Sequence, residues 1–157
     1  MKTMKKLGLL LLITIITTAC SSNDEEPDTT KPTITVQYQG GFPQSCDVLE
    51  KGNEYILKLK VADNISVEKY AVDIHHNFDH HTHDDQGAQC ELDPIKTPIN
   101  AFLYRESFTI SNSPKEYEIN QKINIPNDVD SGDYHCSISV IDGTGWQSRT
   151  SIDIKIQ

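Results

Sequence analysis

The stretch EYILKLKVA, residues 54–62, decides the fold of this chain. Tyr55, Leu57, Leu59 and Val61 fall on one side of an extended backbone and Lys58 and Lys60 on the other, the pattern of an antiparallel strand with one buried and one wetted face. The same period of two returns in Tyr70, Val72 and Ile74, which sends Ala71, Asp73 and His75 outward, and again in Ile152, Ile154 and Ile156 against Asp153 and Lys155. From Thr33 onward the chain consists of short runs rich in Val, Ile, Thr, Tyr and Phe, punctuated by Gly, Pro, Asn and Asp, with no long segment of helical period. Strands are predicted over 33–39, 54–62, 67–77, 101–111, 116–125, 132–141 and 149–157.

Seven strands at this spacing predict an all-β domain, an antiparallel β-sandwich of the immunoglobulin class spanning residues 33–157. The segment DVDSGDYHCSISVIDGTGW, residues 128–146, is the most specific support. Its Asp130, Tyr134 and Cys136 resemble the tyrosine corner and following cysteine of strand F in immunoglobulin-like domains, which implies a Tyr134 hydroxyl bonded back to the backbone. Asp142, Gly143 and Gly145 resemble the Asp-x-x-Gly turn that leads into the last strand of bacterial extracellular sandwich domains. Trp146 stands where Asn often follows that glycine, which argues against a ligand role for the turn.

The beginning of the chain reads as an export signal. Lys2, Lys5 and Lys6 precede an apolar run from Leu7 to Ile16, shorter than the roughly 20 residues a bilayer-spanning helix needs. Thr17-Thr18-Ala19-Cys20 then resembles the cleavage box of bacterial lipoproteins, which implies a signal peptide over 1–19 and a lipid on Cys20. Residues 20–32 read as an acidic tether, too polar to fold, whose last twelve residues would reach about 40 Å if extended. Asp24-Glu25-Glu26 resembles the signal that sends some Gram-negative lipoproteins to the outer face of the outer membrane. Together with the motif HHNFDHH, residues 75–81, the mature chain resembles an uncharacterised family of bacterial surface lipoproteins with one immunoglobulin-like domain. That resemblance implies the fold and no settled activity.

Removing residues 1–19 takes away three of the 14 basic residues and none of the 23 acidic ones, so the remainder carries a formal net charge of −12. No basic stripe is present, which argues against nucleic acid as a partner and in favour of cations. With Cys20 assigned to lipid, Cys46, Cys90 and Cys136 are left. Cys46 and Cys90 lie in polar, loop-like sequence and are the expected disulfide, worth about 4 kcal/mol in the chain-entropy model for a loop of this length. Cys136 shares the inward face of its strand with Tyr134 and is expected to be a buried free thiol.

Chemistry concentrates in HHNFDHHTHDD, residues 75–85, which holds five of the six histidines. Neutral imidazole is the commonest protein metal ligand, and His-rich tracts bind metal for that reason. In the expected sandwich, strands C and F are antiparallel neighbours, so His75, outward near the end of one, meets His135, outward near the start of the other. The loop then offers His80, His81 and His83, with Asp79, Asp84 and Asp85 as oxygen donors. Imidazole donors suit zinc first and copper second, whereas calcium prefers an oxygen cage. His76 and His80 have zinc-peptidase spacing, but Asn77 occupies the place of the catalytic Glu and the context is strand and loop, so no enzyme is expected. The competing expectation is an interaction module binding a protein or glycan, with a loop whose histidines respond to pH.

Overall fold

The computed structural model describes residues 27–87 and 90–157. Eight strands run through them: β1 (Thr33–Thr35), β2 (Val48–Leu49), β3 (Glu54–Ala62), β4 (Val67–His76), β5 (Tyr104–Thr109), β6 (Glu116–Asn124), β7 (Gly132–Asp142) and β8 (Gln147–Ile156). They form a three-stranded sheet in the order β1-β3-β6 and a five-stranded sheet in the order β2-β8-β7-β4-β5. The chain stays within one sheet only between β4 and β5 and between β7 and β8; every other connection between consecutive strands crosses to the opposite sheet. The result is an immunoglobulin-like β-sandwich. Its pairs are antiparallel except that of β2 with β8.

The alternating residues of the sequence form its core. Leu57, Leu59 and Val61 of β3 face Val72 and Ile74 of β4, Ile138 and Val140 of β7 and Ile152, Ile154 and Ile156 of β8, all buried in one cluster. The expected signal peptide, Cys20 and residues 21–26 of the expected tether lie outside the described residues.

Two differences from the predicted strands have local causes. The first strand stops at Thr35, because residues 36–41 leave the sheet in a turn closed by the Gly41 amide on the Tyr38 carbonyl. The chain touches β3 again at a single bridge from Phe42 to Lys58. β2 is an additional strand of only two residues, too short for any period to show, and it exists because Val48 and Leu49 dock on the free edge of β8.

Tyr134 forms the expected corner, its hydroxyl donating to the Asp130 carbonyl at 2.6 Å while accepting from the Phe102 amide at 3.1 Å. It thereby ties the long β4–β5 connection to β7. Tyr134→Phe would leave that buried amide without its partner, and the expected loss is about 1–3 kcal/mol in urea unfolding.

The cysteines are as expected: Cys46 and Cys90 are bonded, and Cys136 is a buried free thiol. Burial pushes the Cys136 thiol up to about 12, so it stays protonated and unreactive.

Beyond β4, residues 81–87 and 90–93 lie over the outer face of the five-stranded sheet. Gln86 pairs with Ser151 on the outer edge of β8, the disulfide fixes Cys90 beside Cys46, and the Asp93 amide donates to Asp133 Oδ2 at 2.7 Å. This covering explains why Asp133, His135, Ser151 and Asp153 are buried although alternation turns them away from the core.

Candidate metal centre

The site begins with strand register. β4 and β7 pair so that His75 stands directly opposite His135. Beyond β4 the backbone turns sharply at His80, whose φ is 59°. This reversal brings His81 and His83 back over the end of β4.

Three imidazoles converge there. His75 Nε2 lies 3.2 Å from His81 Nε2 and 3.2 Å from His83 Nε2, and the three rings are packed at centroid separations of 5.1 to 5.3 Å. Two nitrogens bound to one tetrahedral zinc at about 2.0–2.1 Å are themselves about 3.3–3.4 Å apart. The separations therefore match a metal's coordination shell.

The backs of two of the rings are held by carboxylates. His75 Nδ1 donates to Asp73 Oδ1 at 3.0 Å, and His81 Nδ1 donates to Asp79 Oδ1 at 2.7 Å. A carboxylate accepts and does not donate, so each places the proton on Nδ1 and leaves the Nε2 lone pair aimed at the shared centre. Asp73 is itself fixed by Arg105, with Nε and a terminal nitrogen at 2.9 and 2.8 Å from Oδ2. Lone pairs crowded in this way repel one another until a cation or proton lies between them.

A family model described as a domain of unknown function, DUF4625, matches residues 18–157. The chain belongs to the DUF4625 family. No curated protein matches the chain. Both sheets and the whole histidine cluster lie inside the matched DUF4625 region.

The other predicted ligands of this DUF4625 domain occupy different places. His135 is fully buried beneath the cluster, its ring 4.7 to 5.6 Å from those of His75, His81 and His83. Its Nδ1 pairs with Asp153 Oδ1 at 2.9 Å and its Nε2 faces the His81 carbonyl at 3.2 Å, so it floors the site. His80 turns away, Nε2 lying 2.8 Å from the Asp93 carbonyl, and holds the two passes of the loop together. Asp79 orients His81 from behind and does not stand among the converging ligand atoms. The hydrogen bond from His81 holds its carboxyl below the usual range.

Three supporting residues were not singled out from the sequence: Asp73, Gln86 and Asp153. Alternation already turned Asp73 and Asp153 outward on the strands that carry or flank the histidines, and that was the available signal. Gln86 gave none. Its amide reaches Asp153 at 2.8 and 3.0 Å and anchors the loop segment just after His83.

Burial holds both His75 and His135 below the ordinary imidazole range, with their carboxylate partners opposing the shift only in part. At neutral pH both are neutral, the form that binds metal. In the unfolded chain they regain an ordinary value near 6.5, so below about that pH the unfolded state binds more protons than the folded one. Stability of the metal-free protein is therefore expected to fall as pH drops from 7.5 to 5.5, checked by urea unfolding in the presence of a chelator.

A groove of about 330 Å³ adjoins two of the three rings, lined by Asp73, His75, His83, Arg105 and Arg149 among others. Three nitrogen ligands with an open approach leave a position for water or an exchanging ligand.

Proposed function

We propose that this domain binds one divalent transition metal ion, zinc first and copper second, through His75, His81 and His83, as the extracytoplasmic part of a lipid-anchored outer-membrane protein. The convergence of three Nε2 atoms at coordination spacing, two of them backed by carboxylates, carries the reading. An all-imidazole set selects zinc or copper over calcium or magnesium. Partial exposure of His75 and His81 suits an ion that is captured and passed on better than one locked in for structure. The role is binding and not catalysis: Asn77, at the position where a zinc peptidase carries its general base, is buried. The lipid on Cys20 and the cell-surface position rest on the leader and the acidic tether.

Metal analysis after zinc loading and dialysis tests this. One equivalent should remain on the native protein and be lost from His75→Ala. Asp79→Ala, which removes only the orienting carboxylate, should retain the site with affinity about 10–100-fold lower. Substoichiometric metal that His75→Ala leaves unchanged would overturn the reading.

The alternative, a protein- or glycan-binding module, has one observation in its favour. Ile95, Ile99 and Leu103 are exposed along the same connection. Large apolar side chains held outward on a loop are common at binding surfaces.

A further inference from the structure

At the end of the β4–β7 pair away from the histidines, seven residues along β7 from His135 and so about 23 Å distant, three carboxylates meet. Asp28 precedes β1, Asp63 lies in the β3–β4 turn and Asp142 closes β7; one oxygen from each lies within 4.8 Å of the others. From this geometry we infer that Asp28, Asp63 and Asp142 form a second cation site, selective for calcium, that clips the segment leading into β1 onto the sandwich.

Unpartnered buried oxygens carry the inference. Asp63 Oδ1 accepts the amides of Ile65 and Ser66 at 2.8 and 2.9 Å, and Asp142 Oδ1 accepts those of Thr144 and Trp146 at 2.9 and 2.8 Å. The second oxygen of each, Oδ2, is buried and has no hydrogen-bond partner among the described residues, and Asp142 as a residue is only 2 % exposed. A carboxylate oxygen removed from water with nothing to replace it is costly, and two beside a third carboxylate are more so. A cation between them removes both penalties.

The donors decide which cation. All are hard oxygens, with no imidazole or thiolate among the three, so the site suits calcium and not the metal of the histidine cluster. Two oxygens bound to one calcium at 2.3–2.6 Å are separated by up to about 5 Å, which accommodates the spacing found.

The consequence falls on the tether. Asp28 Oδ1 accepts from Asn64 Nδ2 at 3.1 Å, and its backbone carbonyl accepts from Trp146 Nε1 at 2.9 Å. Residues read from composition as free tether are thus docked at their end, and a bound cation would fix where the domain stands relative to the lipid. The Trp146 that replaces the usual Asn after the turn does not exclude a ligand role for Asp142; its indole holds the backbone of Asp28, which carries the third carboxylate.

Trp146 is the chain's single tryptophan and stands within hydrogen-bonding distance of the site, so its fluorescence reports on it. The full chain in detergent, freed of metal by chelation, is titrated with calcium chloride up to about 10 mM, above the affinity range of extracellular calcium modules. A saturable fluorescence change at one equivalent, with a rise in Tm, is expected. Asp28→Asn, which lies outside the strands and leaves the fold intact by circular dichroism, should shift the midpoint at least tenfold, as should Asp63→Asn, while His81→Ala leaves it in place. No calcium response in the native chain, or the same response in both variants, would overturn the site and leave the histidine cluster untouched.

Discussion

His81→Ala should weaken zinc binding by more than the 10–100-fold cost of losing an orienting carboxylate, because it deletes one of three ligands outright. Water would take its place, and two imidazoles with two waters hold zinc only weakly. The same substitution should leave the metal-free protein within about 0.5 kcal/mol of native stability, since His81 is partly exposed and packs in no part of the core. His80→Ala is the matched control. Its ring bonds the Asp93 carbonyl and faces away from the centre, so it supplies no ligand and zinc affinity should fall far less than in His81→Ala, by no more than loosening of the loop costs. Competition against a chromophoric chelator separates the two variants, and equal affinities would refute the assignment of His81.

Asp153→Ala should destabilise the fold by about 3 kcal/mol, the largest stability effect expected of any polar residue near the site. The carboxylate is 4 % exposed and accepts from His135 Nδ1, from the Gln86 amide and from the Cys90 backbone. Alanine would leave a buried imidazole N–H with no acceptor and release the loop segment after His83. Zinc affinity should therefore fall as well, although Asp153 touches none of the three ligands. Asp153→Asn preserves shape and one acceptor oxygen, so it should recover part of both losses. Urea unfolding with and without zinc measures each effect, and an unchanged midpoint for Asp153→Ala would show that the loop is held elsewhere.

Much of the architecture was legible because alternation is a direct record of which side of a strand is dry. β3 has the bounds its sequence predicts, and the meeting of His75 with His135 follows from the pairing of strands C and F in a sandwich of this class. Which loop histidines converge was not legible. His80 and His81 are adjacent and chemically identical, yet a positive φ at His80 and a hydrogen bond to Asp93, thirteen residues on, send their rings in opposite directions. The floor of the site depends on contacts of still longer range, such as Gln86 with Asp153 across 67 residues. Asp28 was hidden for a different reason: composition describes what a segment can bury, and a docked tether buries little.

The central claim is that His75, His81 and His83 share one ion through Nε2. X-ray absorption at the zinc edge of the loaded protein tests it most directly. Three imidazole nitrogens at about 2.0–2.1 Å with one oxygen donor are expected, falling to two nitrogens in His83→Ala. A first shell of oxygens, or a nitrogen count that His83→Ala leaves unchanged, would contradict it.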